Sequence, residues 1–270
     1  MGKDNKQQHA INVVGSKLAA KQDLIEMLWP TLGATLLFFA PYFLLSTAMR
    51  LACYGTGTEL LDGLTQTQLL KYLAVYAAAN LLLVQPLYYG VMQFYALRRA
   101  GGHPPITMVT MCLSSWRLYL KSIRMALVLL LFSVLWLIPA AVVSIAAYAL
   151  YVYVLTTSFG KFLFLEIVIL SAAAYISMIL QYHCGYALMM EQPGLGCWKA
   201  VRTAAKKFRG HQGEVFSLLV SFFFWIVLTI VLGGFLIVVL CPYFMLALFH
   251  LFDRIRGVRI KLAEKTPENK

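Results

Sequence analysis

Charge is what this chain has least of. Only 13% of its 270 residues are Asp, Glu, Lys or Arg, against 61% hydrophobic residues and a mean hydropathy of +0.75. A globule that shows a polar surface to water does not have that composition. Acidic residues are the scarcest, 11 against 23 Lys and Arg. Five cysteines, Cys53, Cys112, Cys184, Cys197 and Cys241, are odd in number and scattered. With no CxxC pair and no Cys/His pairing at ligand spacing, neither a disulfide framework nor a zinc site is indicated. Also missing are a G-x-S-x-G elbow, H-E-x-x-H, a phosphate-cradling glycine loop and a paired-carboxylate arrangement, each of which needs its groups in one small volume. No catalytic, cofactor-binding or metal-ligating residue is therefore named, and a non-enzymatic role is expected. The polar segment through Glu26 lacks the short apolar core of an ordinary secretory signal.

What the chain has instead is long apolar runs, at about 27–49, 71–97, 124–152, 162–190, 214–232 and 235–252. Each is near or above the roughly 18 to 20 residues that cross about 30 Å of hydrocarbon. The fold class expected is all-α, a polytopic membrane bundle of six transmembrane helices. Six spans put both termini on one side. Lys and Arg then divide as four in the N-terminal segment (Lys3, Lys6, Lys17, Lys21), five in the second loop, five in the fourth and six in the tail, against three elsewhere (Arg50, Lys71, Lys161). With 20 of 23 on one face, the positive-inside rule makes that face the cytoplasm. Topology thus accounts for the net charge of +12, and nucleic acid, which basic residues also attract, is not expected as a partner. The organisation expected is a cytoplasmic segment 1–26, a six-span domain 27–252 and a basic cytoplasmic tail 253–270.

The run from 214 to 252 is long enough for one helix or two short ones. Gly233-Gly234 decides for two, because paired glycines make poor helix interior and a good tight turn. Spans one, three and five begin near residues 27, 124 and 214, and each even span returns into a basic segment. Three hairpins joined by amphipathic cytoplasmic helices are expected. In the second loop Val109, Leu113, Trp116, Leu120 and Ile123 fall on one helical face, and Arg117, Lys121 and Arg124 each follow a stripe member by one position. In the fourth loop Leu195, Trp198, Val201, Ala205 and Phe208 make the same stripe, with Lys199, Arg202, Lys206 and Arg209 one position on. Ile11, Val14 and Leu18 with Lys17 and Lys21 resemble a weaker third copy. An apolar stripe edged by cations suits a helix in the headgroup layer, its tryptophan at the interface and its basic stems reaching phosphate. The candidate lipid-contacting residues are therefore Trp116, Arg117, Lys121, Arg124, Trp198, Lys199, Arg202, Lys206 and Arg209. The same pattern serves a helix docked on the cytoplasmic ends of the bundle, and both readings stay open.

Ionisable residues inside a membrane are functional suspects, and here they are few. Glu166 lies close enough to the outer interface to snorkel, and His183 and His250 lie toward the cytoplasmic ends of spans four and six. Small and uncharged polar residues line up instead: Ser133, Trp136, Ala140, Ser144 and Ala147 on the third helix, and Glu166, Ala173, Ser177, Gln181 and Cys184 on the fourth. Such stripes let membrane helices pack closely and hydrogen-bond, so a packing seam is expected. A lined cavity is the alternative, with Asn80, Gln85, Gln181 and His183 as its candidate walls.

Gly210-His211-Gln212-Gly213 turns a cationic segment into the fifth span, and His211 has only Glu214 near it in sequence. It reads as the place where the chain turns into the membrane, not as a catalytic loop. The stretch "FRGHQGEVFSLLVSFFFWIVLTIVLGGFLIVVLCPYFMLALFH", with "QPLYYGVMQFYALRR" and "LFSVLWLIPAAVVSIAAYALYVY", resembles the bacterial integral-membrane family catalogued as domain of unknown function 975. The resemblance rests on Gly210-His211, Ser221-Phe222, Trp225, Gly233-Gly234 and Pro242-Tyr243, with Trp136 and Ile138-Pro139 in the third span. It departs at Glu191-Gln192-Pro193, where the family commonly has an acidic residue and Asn-Pro, and at Gly213, where a bulkier residue is common. It implies a six-span protein of the bacterial cytoplasmic membrane and transfers no activity.

The function expected is interaction, with membrane lipids, anionic ones among them, or with a membrane-protein partner, through the basic cytoplasmic helices. The alternative is a transporter or permease for a small substrate. A carrier for an ion would place charge near the midplane, which this sequence does not.

Overall fold

The computed structural model describes residues 2–54, 66–153 and 157–257, so most of the expected basic tail lies outside the described residues. Every regular element among them is helical: α1 (Gly2–Glu26), α2 (Leu28–Tyr54), α3 (Gln66–Ala79), a π-helical turn (Asn80–Val84), α4 (Gln85–Arg99), a 3-10 turn (Ile106–Val109), α5 (Met111–Ser114), α6 (Trp116–Tyr153), α7 (Ser158–His183), α8 (Gly185–Glu191), α9 (Cys197–Phe208), α10 (Gln212–Val231) and α11 (Ile237–Ile255). Among the described residues six stretches are long and apolar enough to cross a membrane: Leu28–Ala48, Leu69–Arg99, Trp116–Tyr153, Ser158–Glu191, Gln212–Val231 and Ile237–Ile255. Their outward faces are apolar, Leu130, Ile145, Phe162 and Phe224 among them. Lipid solvates such faces and water does not.

α6 and α7 run antiparallel. Ser133 Oγ lies 2.5 Å from Tyr175 Oη, Ser171 Oγ donates to the Ala140 carbonyl at 3.1 Å, and Tyr148 packs on Phe164 farther out. Trp136 Nε1 donates to Tyr182 Oη at 2.6 Å. The third-helix stripe therefore meets α7, but through Ser171, Tyr175 and Tyr182. Ser177, Gln181 and, just past the end of α7, Cys184 are buried too, and α7 packs on α9 and α10 as well as on α6. Gly233 and Gly234, at φ 68° and 89°, turn α10 into α11, and Phe222 packs on Tyr243 and Phe244 across that pair.

The centre of the bundle is α4. Leu87, Tyr89, Val91, Met92, Phe94 and Tyr95 are all buried, so this helix is enclosed around most of its circumference, by α2, α6, α8, α11 and the second loop. The loop lies on α4 because residue 90 is glycine: a Cβ there would overlap the Val109 carbonyl. The single amphipathic helix expected across that loop is not what forms. Ser115, at φ −126° and ψ 114°, breaks it. Before the break, Val109 and Cys112 are buried against the bundle; after it, Trp116 starts a helix that continues through Pro139 to Tyr153.

α1 also departs from its expected pattern. Its buried face is Val13, Ser16, Ala20 and Leu24, whereas Val14 and Leu18 of the expected stripe are 57% and 60% exposed. Small residues decide this, since Gly15, Ser16, Ala19 and Ala20 let α11 approach closely. The Arg254 guanidinium lies over Gly15, where a Cβ would come within 2.6 Å of Nη2. α1 is thus packed along α11 and α10, with Lys17 Nζ 5.1 Å from the Phe222 ring centre. α11 extends through Asp253, which is buried.

Candidate functional site

Three polar groupings stand out, and the first was not foreseen from sequence. Arg98, at 1% side-chain exposure, is paired with Glu26 Oε2 at 2.6 Å, donates from Nε to the Asp23 carbonyl at 3.1 Å and from Nη1 to the Gly102 carbonyl at 3.3 Å. Asp23 Oδ2 lies 2.6 Å from His250 Nε2. Arg99 pairs with Glu191, and its Nε lies 3.0 Å from Asp253 Oδ2, a charge contact whose alignment falls short of a hydrogen bond. Arg256 grips Glu191 with two nitrogens, at 2.9 and 2.8 Å. This network ties α1, α4, α8 and α11 together at one end of the bundle, called the basic end below. Glu191 and Asp253 raise the Arg256 guanidinium above its ordinary range against the lowering effect of burial.

The second grouping sets three cations of α6 against the loop that precedes α9. Arg117, Lys121 and Arg124 recur at i, i+4 and i+7 on α6 and face the loop Pro193–Cys197 and Trp198 across a cleft of about 650 Å³. Leu127 and Val128 form its floor. Lys121 Nζ donates to the Pro193 carbonyl at 2.7 Å, and Cys197 Sγ to the Lys121 carbonyl at 3.7 Å. Burial raises the Cys197 thiol, with Lys121 and Arg124 pulling it back down. Gly196 is the N-cap of α9 and lines the cleft, so the first N–H groups of that helix have no side-chain cap from it. α9 is held down by buried Ala200, Val201, Ala204 and Phe208, with Phe208 stacked on Phe252 at 5.3 Å. Lys199, Arg202, Lys206 and Arg209 stand exposed on its other face. Of the nine residues named from sequence for lipid contact, Arg117, Lys121, Arg124 and Trp198 meet in this cleft; Trp116 lies outside its lining, stacked on Tyr119 at 5.6 Å.

The third grouping is a pocket of about 340 Å³ among the spans, walled by α2, the π-helical turn, α4, α6 and α7. Asn80, Gln85 and His183 line it with Tyr42, Tyr88 and Ser133. Gln181 does not; it is buried, its amide 3.6 Å from Met178 Sδ. The π-helical turn explains the convergence, since one extra residue in a turn rotates the next turns of the helix and it contributes Asn80 and Val84 to the wall.

His211 Nδ1 lies 2.9 Å from Glu214 Oε1, and Asn12 Nδ2 donates to Glu214 Oε2 at 3.3 Å. Gly210 has φ +91°. Among the described residues no three His, Cys, Asp or Glu side chains gather as a metal would require.

Among the described residues the architecture is all-helical, with six helical stretches long and apolar enough to cross a membrane. A family model described as "Protein of unknown function (DUF975)" matches residues 17–259, and the chain belongs to that family. Comparison with curated proteins and with solved structures returns no match.

Proposed function

We propose that this is a non-enzymatic multi-pass protein of the bacterial cytoplasmic membrane, both termini cytoplasmic, that acts by interaction with anionic lipids or a membrane-protein partner. Its working surface is the set of basic residues on α6 and α9. The observation that supports this is the division of charge at the basic end. Asp23, Glu26, Glu191 and Asp253 are engaged by Arg98, Arg99, His250 and Arg256. Arg117, Arg124, Lys199, Arg202, Lys206 and Arg209 are exposed, and none of them has a carboxylate within ion-pair distance among the described residues. Unneutralised cations beside apolar spans suit a negatively charged headgroup layer, at roughly 1 kcal/mol per basic residue close to the surface. In this reading the spans form three hairpins and α9 lies along the cytoplasmic headgroups.

The test is retention of phosphatidylglycerol over phosphatidylcholine by the purified full-length protein. Replacing Lys199, Arg202, Lys206 and Arg209 together by Gln should lower the total number of phosphatidylglycerol molecules retained, and with it the preference, as should high salt. A preference indifferent to both overturns the reading.

The pocket favours a second reading, a transporter or permease for a small uncharged solute, because it gathers Asn80, Gln85 and His183 within the spans without a carboxylate, lysine or arginine in its lining. Stabilisation of the purified protein by a neutral solute, lost in Gln85→Leu, would favour it over the first.

A further inference from the structure

We infer that the cleft between the first turns of α6 and the Pro193–Trp198 segment is a discrete binding site for the phosphate of one anionic phospholipid. The inference rests on the basic lipid-contacting face proposed above and narrows it to three side chains. Arg117, Lys121 and Arg124 line the same cleft. None of the three has an ion-pair partner among the described residues; Lys121 is occupied only by the neutral Pro193 carbonyl, at 2.7 Å. Three positive charges on one helix face repel one another unless an anion lies between them. Two are guanidinium groups, whose planar fork of donors matches phosphate oxygens. The uncapped first turn of α9 adds donors that favour the same charge, though the cations and the cleft define the site without it.

The apolar surface that continues the cleft assigns the phosphate to a lipid. The floor is Leu127 and Val128, and beyond them Leu130, Leu131, Val134 and Leu135 stand exposed along α6. An acyl chain has an apolar track leading away from the cations. Trp198 closes the opposite wall, its ring 5.0 Å from Phe132, in the place where an aromatic ring belongs at a membrane interface. A free phosphate would use the cations and leave the track bare.

The experiment uses the full-length protein in detergent, with lipid retention read by native mass spectrometry and folding checked by circular dichroism. The wild type should retain one phosphatidylglycerol through delipidation that strips phosphatidylcholine, and inorganic phosphate should not displace it. Arg117→Gln/Lys121→Gln/Arg124→Gln should reduce that retention by about tenfold or more, whereas Lys199→Gln/Arg202→Gln/Lys206→Gln should leave the single tightly held lipid in place. Arg117→Gln/Arg124→Gln repeats the test without disturbing the Lys121 contact to Pro193, and should lose retention while remaining folded. If the α9 variant loses the lipid and the cleft variants keep it, the discrete site is refuted and the broader basic face stands. If no variant changes retention and phosphatidylglycerol is held no better than phosphatidylcholine, both are refuted. Displacement by inorganic phosphate at matched concentration would also overturn the lipid assignment.

Discussion

Arg99 Nε sits 3.0 Å from Asp253 Oδ2, with the two side chains only 4% and 7% exposed. This pair fastens the end of α4 to the end of α11. Arg99 also reaches Glu191, which Arg256 holds with two hydrogen bonds. Removing one partner of a buried pair strands the other charge, typically at a cost of about 3–5 kcal/mol. Arg99→Leu should therefore lower the unfolding temperature in detergent far more than Lys199→Gln, an exposed change expected to stay within about 0.5 kcal/mol. Arg99→Leu/Asp253→Leu should recover part of the loss. Strictly additive losses in the double variant would show that the two groups do not depend on each other.

Gly90 provides a steric test of how the second loop lies on α4. A methyl group there would overlap the Val109 carbonyl, a backbone atom with no flexible side chain to yield. Gly90→Ala should destabilise by about 1–3 kcal/mol, although alanine is the better helix former. At Gly213 an added Cβ meets nothing within 4 Å, so Gly213→Ala should be neutral or slightly stabilising. Equal thermal shifts for the two variants would mean that the loop does not rest on α4.

Cys112 gives a pH dependence. Burial pushes its thiol up to about 11 from an ordinary value of 9.0. Between those values the unfolded chain has lost the proton and the folded chain keeps it, so stability from this group is intact below about pH 9 and falls as pH rises toward 11. Cys112→Ala should flatten the alkaline fall in unfolding temperature relative to wild type. Parallel curves for the two proteins would contradict this environment for the thiol.

How far the sequence revealed this arrangement depends on whether a side chain's role was set locally. The spans and the Gly233-Gly234 turn were legible because hydrocarbon thickness and glycine geometry act on short stretches. Asn80, Gln85 and His183 could be named as walls of an alternative cavity because polar residues are rare in spans. Gln181 does not join them; it is buried outside that pocket, beside Met178. Arg98 and Arg99 entered the sequence reading only as two of the five basic residues of the second loop: charge counting cannot separate an arginine that faces outward from one enclosed by Asp23, Glu26, Glu191 and Asp253, residues that lie far away in the chain. The second-loop stripe misled for a related reason. Its period is helical, but the enclosure of α4 requires Val109 and Cys112 to turn inward, and the extended backbone at Ser115 interrupts the period.

Gly210 and His211 distinguish a structural turn from a chemical one. α9 ends at Phe208, Arg209 continues in extended conformation, and Gly210 takes φ +91°, a region that costs a side chain with a branched Cβ more than any other. The His211 amide then returns to the Phe208 carbonyl at 2.8 Å, which closes the end of α9 as the chain turns into α10. Glu214 lies in the first turn of α10, where the helix dipole favours negative charge, and His211 and Asn12 both contact it. The contact to Glu214 ties the His211 imidazole to the turn that starts α10. Gly210→Val should therefore be the more damaging change, lowering the unfolding temperature by the equivalent of about 1–3 kcal/mol. His211→Ala should remove one contact to a buried carboxylate, cost about 1–2 kcal/mol, and leave lipid retention at the α6 cleft unchanged. Both effects are read by thermal unfolding of the detergent-solubilised protein, with native mass spectrometry for the lipid. A Gly210→Val protein as stable as wild type, beside a fully folded His211→Ala protein that has lost function in the cell, would overturn the structural role and make His211 a chemical residue.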